Sequence, residues 1–253
     1  MIATDERSEL AGAVAVVTGG TGGIGSAICE RLAGVGCRVV IVFRSNLIVA
    51  ETLLEKLSGT GHCIVQADVT DTASLNRLAG EVRERCGRVQ ILVNCAGTTR
   101  FVPHADLDGL DDTTIDQIFR TNWRGPFATI RALKSLLLES PRPVIINISS
   151  IAAVSGIGSN VAYCASKAAL NAMTVSLGRA LAPHIRVVSV SPGLVDTEFI
   201  KGLNEQWRNE QVARTALGRL PTPDDVSRAV LAAATMQCST GCVISVDGGR
   251  LLS

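Results

Sequence analysis

A doubly wound α/β fold, one parallel sheet of about seven strands with helices on both faces, is what this sequence predicts. Three observations predict it. Short runs rich in β-branched residues alternate with longer stretches of helical periodicity from end to end. The short runs are apolar almost throughout, as parallel strands covered on both faces require. No linker, repeat or shift of composition interrupts the series, so residues 1–253 are expected to form one domain.

In order, strands are read at 13–18, 38–43, 62–67, 90–94, 143–149, 186–191 and 242–246. Helices are read over 23–34, 47–58, 72–86, 112–139, 161–182 and 224–235. Two stretches break the rhythm, 97–112 after the fourth strand and 193–220 after the sixth. Both follow the carboxyl ends of strands, where open α/β sheets place ligands, and are expected to shape a substrate pocket.

The chain has 24 basic and 23 acidic residues, a formal net charge of +1, which excludes a broad electrostatic footprint for nucleic acid or an anionic membrane. Hydrophobic residues make up 47% and charged residues 19%, enough for a packed core and unlike a disordered chain. No apolar run approaches the roughly 18–20 residues of a membrane span. Asp5, Glu6, Arg7 and Glu9 precede any apolar stretch, the reverse of a secretory signal, so a cytoplasmic protein is expected. Cys29, Cys37, Cys63, Cys86, Cys95, Cys164, Cys238 and Cys242 form no C-x-x-C, and His62, His104 and His184 show no ligand spacing with them. The cysteines are read as small buried hydrophobes in a reducing compartment, and no metal site is predicted.

The first strand runs into Thr18-Gly19-Gly20-Thr21-Gly22-Gly23-Ile24-Gly25 and then a helix. Glycines there permit a tight turn and let backbone N–H groups approach a pyrophosphate at the positive helix end. The strand–turn–helix context favours a nucleotide-binding turn over an ordinary flexible loop. Tyr163 is the one tyrosine of the chain, and Lys167 lies four residues on, the same face of a helix. A phenol exchanges protons poorly at neutral pH unless a nearby ammonium stabilises its anion. Alone, the pair is equally a core tyrosine near a surface lysine. It is joined by Ser150 at the end of the fifth strand and by Asn122, which interrupts a helical stretch.

With Asp68-Val69, Asn94-Cys95-Ala96-Gly97, Pro192-Gly193, Thr197 and the closing Val246-Asp247-Gly248-Gly249, these motifs resemble the short-chain dehydrogenase/reductase family over practically the whole chain. Within it the chain is similar to the 3-oxoacyl-[acyl-carrier-protein] reductases. Cys95 stands where the motif more usually has a second asparagine. The resemblance implies a Rossmann-type NAD(P)-binding domain and an oxidoreductase that interconverts a carbonyl and a secondary alcohol by hydride transfer. It implies Tyr163 as general acid in reduction or base in reverse, and Lys167 on the nicotinamide ribose and the tyrosinate. Ser150 would bond the substrate oxygen, and Asn122 would support a water-mediated proton relay to Lys167. Donors aimed at that oxygen suit the alkoxide that hydride transfer creates.

For the cofactor, the resemblance implies contacts from Gly19, Thr21, Gly23, Ile24 and Gly25, with Asp68 and Val69 at the adenine edge. Asn94, Ala96 and Gly97 would back the cofactor, and Pro192, Gly193, Val195 and Thr197 would cover the nicotinamide. Turn formation equally explains Asn94 and Gly97, and helix capping Thr197. A rival reading, a nucleotide-binding regulator without chemistry, is disfavoured by the presence of both Tyr163 and Lys167.

NADP(H) is expected over NAD(H), which stays usable. Phe43 ends the second strand where NAD-selective relatives carry an acid, and Arg44 and Ser45 offer donors to a 2′-phosphate. Arg44 stacking on adenine is the alternative, and Gly22 stands where a second basic residue is common. The expected substrate is a 3-oxoacyl thioester on acyl carrier protein or CoA; the alternative is a small alcohol, sugar or hydroxy acid. Arg142 and Arg131 are candidates for docking an acidic carrier, and His184 stands where the resembled reductases commonly carry a basic residue beside the site. Arg100, Phe101 and His104 either contact substrate or belong to a solvated loop. The helix at 161–182 is rich in alanine and has only Lys167 and Arg179 as charges, so its outward face is expected to meet another subunit, as in tetrameric relatives. A homotetramer is expected; cover by the chain itself is the alternative.

Overall fold

The computed structural model describes residues 9–197 and 205–252. Its strands are β1 Val14–Thr18, β2 Arg38–Phe43, β3 Cys63–Gln66, β4 Ile91–Asn94, β5 Val144–Ile148, β6 Arg186–Pro192 and β7 Val243–Val246. The helices are α1 Gly23–Gly34, α2 Leu47–Lys56, α3 Thr72–Cys86, α4 Asp112–Phe119, α5 Gly125–Leu138, α6 Ala152–Ser155, α7 Val161–Ala180, α8 Glu205–Ala213 and α9 Pro223–Thr235. All neighbouring strands pair in parallel, in the order β3-β2-β1-β4-β5-β6-β7. The order reverses between β1 and β4, which opens a crevice at their carboxyl ends.

Successive strand side chains point to opposite faces, so each central strand feeds two cores. Ala15, Val17, Ile41, Val93 and Ile146 pack with Ile28 and Leu32 of α1 and Val226 and Val230 of α9. Val16, Val40, Leu92 and Ile145 pack with Leu75 and Leu78 of α3, Leu133 of α5 and Leu170 of α7. Burying each valine, leucine or isoleucine among them contributes about 1.5–3 kcal/mol relative to exposure. This double cover is why the central strands read as unbroken apolar runs.

The edges differ from the sequence reading. β7 has Val243 and Ser245 exposed and Ile244 and Val246 half-buried, and β3 ends on an exposed Gln66. Each has one strand neighbour only, so neither is covered as the centre is. The helix expected over 112–139 is broken by a π-helical segment, Arg120–Arg124, between α4 and α5. There the Gly125 N–H reaches back five residues to the Arg120 carbonyl, and Pro126 has no N–H to offer the Asn122 carbonyl. The cysteines are also corrected: only Cys29, Cys37 and Cys164 are buried, Cys238 is exposed, and the other four are half-buried near the margins of the core.

Candidate active site

The site begins at the end of β1. Thr18 Oγ1 accepts the N–H groups of Cys95 at 3.1 Å and Ala96 at 3.2 Å, tying the glycine turn to the segment after β4. Gly19 has a φ of +64°, and a Cβ there would lie 2.8 Å from the Ala96 Cα. A Cβ on Gly25 would lie 2.2 Å from the Gly19 carbonyl oxygen. Only glycine fits either position. α1 follows Gly22 with no side-chain cap and no acidic residue in its first turn, so its positive end is open to the crevice.

The crevice is an open cleft of about 350 Å³. Gly19, Gly23, Ile24 and Gly25 line one wall, Gly97, Ser150, Tyr163 and Lys167 another, and Pro192, Gly193, Val195 and Thr197 a third. An uncapped helix end and a turn that admits no side chain at Gly19 or Gly25 fit the phosphates of a dinucleotide.

α7 carries both Tyr163 and Lys167. Its N-cap, Asn160, is fully buried, and Asn160 Oδ1 accepts the Tyr163 N–H at 2.7 Å. One turn on, Lys167 is 6% exposed and its Nζ donates to the Ile148 carbonyl at the end of β5, at 2.8 Å. Burial holds the Lys167 ammonium down at about 8, against the opposing influence of Cys95. Burial pushes the Tyr163 phenol above its ordinary value, and a hydrogen bond with Ser150 works the other way. Ser150 Oγ accepts the Ala152 N–H at 3.2 Å, which leaves its hydrogen for another acceptor.

Asn122 is wholly buried in the π-helical segment. Its Oδ1 accepts the Thr98 N–H at 2.8 Å, and its Nδ2 donates to the Thr98 carbonyl at 2.9 Å and to Ser166 Oγ at 3.1 Å. The side chain therefore clamps the loop after β4 to α7. It stands behind the cleft wall rather than on it.

Other expected contacts fall elsewhere. Arg44 and Ser45 are exposed beyond the carboxyl end of β2, where Gln66 Nε2 donates to the Arg44 carbonyl at 2.9 Å. Asp68 lies nearby after β3. Partial burial works against its charge, but the Thr70 N–H and hydroxyl, at 2.8 and 2.7 Å, and the charges of Arg44 and Arg120 hold its carboxyl below the usual range. Val69 is buried against Gly125, Ala96 packs beside Gly19, and Thr21 is half-buried outside the cleft lining.

Asn94 is 2% exposed and does not line the cleft. Its Nδ2 donates to Asn147 Oδ1 at 2.9 Å, and Asn147 Nδ2 donates to Thr174 Oγ1 at 2.9 Å. This polar row fastens α7 to the sheet beneath the site. Sequence reasoning missed Asn147, Thr174 and Asn160. Asn160 had a signal, an N-cap residue three places before Tyr163; the Asn147–Thr174 pair had none.

In the loop after β4, Arg100 donates to the Gly109 carbonyl at 2.6 Å and to the Asp111 carboxylate at 2.9 Å. His104 Nε2 lies 3.1 Å from the Gly158 carbonyl, and Phe101 is 76% exposed. Arg100 and His104 thus shape the loop itself. Arg142 and His184 precede β5 and β6, at the end of the sheet opposite the cleft, and Arg131 is exposed on α5.

A family model described as short chain dehydrogenase matches residues 13–208. The chain is 32% identical over 245 residues to an acetoacetyl-CoA reductase of Allochromatium vinosum, covering 94% of this chain and 98% of that one. It is 32% identical over 244 residues to the 3-oxoacyl-[acyl-carrier-protein] reductase FabG of Escherichia coli, covering 95% and 98%. The crystal structure of gox2181 superposes with a TM-score of 0.87 at 31% identity, covering 98% of this chain and 99% of that one. A crystal structure from Burkholderia xenovorans, assigned to the short-chain dehydrogenase/reductases, gives 0.89 at 34% identity over 96% and 99%.

Fold and relatives together define an NAD(P)-dependent oxidoreductase acting on carbonyl and alcohol groups. The chain belongs to the short-chain dehydrogenase family. No helix of its described residues is long and apolar enough to cross a membrane.

Proposed function

We propose that the protein is an NADPH-preferring reductase of 3-oxoacyl thioesters carried on CoA or acyl carrier protein. The observation that carries the reading is the convergence of Ser150, Tyr163 and buried Lys167 on the cleft beside the glycine turn. Likeness to an acetoacetyl-CoA reductase and to FabG supports the substrate class.

The turn from Gly19 to Gly25 and the end of α1 would hold the cofactor phosphates, with Asp68 at the adenine and Arg44 and Ser45 at the 2′-phosphate. When bound, the nicotinamide supplies the hydride that makes the carbonyl oxygen an alkoxide. The Ser150 hydroxyl donates to that oxygen, and Tyr163 Oη delivers its proton to it. The Lys167 ammonium stabilises the tyrosinate left behind. Asn122, whose carbonyl has no α-helical donor at Pro126, holds a water that returns a proton through Lys167.

Assembly belongs to the same reading. Val161, Ala165, Ala168, Ala172 and Val175 recur at spacings of three and four on the exposed side of α7, and Trp123, Phe127 and Leu138 are exposed on the π-helical segment and α5. Small apolar residues at such spacing permit close helix–helix approach between subunits, and the tetramer of relatives is the expected state.

The test is NADPH oxidation with acetoacetyl-CoA, an acyl-carrier thioester, a ketose and a cyclic ketone. The thioesters should exceed the others in kcat/KM by roughly 100-fold. Turnover of the ketose or cyclic ketone alone would move the assignment to a small-alcohol or sugar dehydrogenase.

A further inference from the structure

Cys63 opens β3 and Cys86 closes α3, so two cysteines bracket the βα unit that contains Asp68. Arginine contacts fasten its two ends together. Arg38 donates to the Gly61 carbonyl at 3.4 Å and to the Arg85 carbonyl at 3.2 Å, and Arg85 donates to the Ile64 carbonyl at 3.4 Å. These contacts join Arg85, the neighbour of Cys86, to Ile64, the neighbour of Cys63, and so set the two thiols side by side at the margin of one core. Both are half-buried at the margin of the core, and neither lines the cleft.

We propose that Cys63 and Cys86 form a site of reversible disulfide formation, with hydrogen peroxide as the oxidant. Packing alone does not call for two thiols in contact beside two guanidinium groups. The Cys86 thiol donates to Cys63, which holds Cys63 down at about 6 against partial burial, with the charges of Arg85 and Arg38 helping. Acting as the donor pushes Cys86 up. Cys63 is thus the member of the pair whose thiol is lowered, and the thiolate is the form that attacks. By contrast, burial holds Cys29, Cys37, Cys95 and Cys164 above the ordinary thiol range.

The chemistry balances. Cys63 sulfur attacks one peroxide oxygen; an S–O bond forms, the O–O bond breaks, and the departing hydroxide takes up a proton to become water. Cys86 sulfur then attacks the Cys63 sulfenic acid; an S–S bond forms, the S–O bond breaks, and the second hydroxide leaves as water with the Cys86 proton. Two thiols lose two electrons and one peroxide becomes two waters. β3 is an edge strand with one neighbour, which lets Cys63 adjust to disulfide geometry.

The test uses the full chain, reduced and then treated with a few equivalents of peroxide. Intact mass should fall by about 2 Da and recover with dithiothreitol. Peptide mapping should join the Cys63 and Cys86 peptides. Cys63→Ser should abolish the link, and Cys86→Ser should leave a dimedone-reactive sulfenic acid on Cys63. The wild-type measurement does not depend on either variant folding. A first disulfide between other cysteines, or a Cys63 that passes to sulfinic acid while Cys86 stays a thiol, would overturn the proposal.

Discussion

Lys167 Nζ stands 5.8 Å from the centroid of the Tyr163 ring, one helical turn away on α7. The i, i+4 spacing puts both groups on one face, and the last carbonyl of β5 holds the ammonium in place. Burial favours the neutral form of each, lowering Lys167 and raising Tyr163. A protonated phenol in the resting site is what a proton donor for carbonyl reduction needs.

The pH profile follows with a definite sign. Lys167 is ammonium below about 8 and neutral above it. Losing the charge removes the support for the tyrosinate formed in reduction, so reductive kcat/KM should fall as pH rises through about 8. This quantity reports the free enzyme, the state described here. A profile flat to about pH 9.5 would contradict the assignment of Lys167.

Cofactor choice is tested at Arg44. Arg44→Ala should lower kcat/KM with NADPH by about 10–100-fold, or about 1.4–2.8 kcal/mol, and leave NADH nearly unchanged. Retention of the full NADPH preference would place the selectivity elsewhere.

Asn160 is a positioning residue, since it caps α7 at Tyr163 and donates to the Arg100 carbonyl at 2.6 Å. Asn160→Ala should cost about 1 kcal/mol of stability through the lost cap. It should also lower kcat roughly 10-fold by displacing the phenol, with cofactor Kd unchanged. Asn160→Asp keeps the capping oxygen and loses the donor to the loop, so it should restore kcat while raising thioester KM. Equal effects of both variants on Tm alone would reduce Asn160 to a structural role.

Assembly is tested on α7, where Ala168 and Ala172 lie one turn apart on the exposed stripe. Light scattering of the wild type at micromolar concentration should give a multiple of 26.5 kDa, and Ala168→Glu should shift it towards smaller species. A 26.5 kDa wild-type monomer would contradict the subunit interface.

What the sequence made legible was local. The apolar runs of β1, β2 and β4, the glycine turn and the Tyr163–Lys167 pair are patterns within a few residues. Residues that act across the chain were not legible. Asn147 meets Thr174 27 positions away, and neither carries a local signature of that contact. The exposure of β7 depends on strand order, which the apolar character of 242–246 does not encode. The π-helical segment lay between these cases, because Gly125 and Pro126 marked a break whose form depends on the Arg120 carbonyl.

The most direct test of the central claim is Tyr163→Phe, which removes one hydroxyl and leaves the ring on α7. NADPH-dependent reduction of acetoacetyl-CoA should fall by about 10²–10⁴-fold, while NADPH binding followed by fluorescence should match wild type. Turnover within about threefold of wild type, with the variant folded and binding NADPH, would contradict Tyr163 as the proton donor and with it the account of the site.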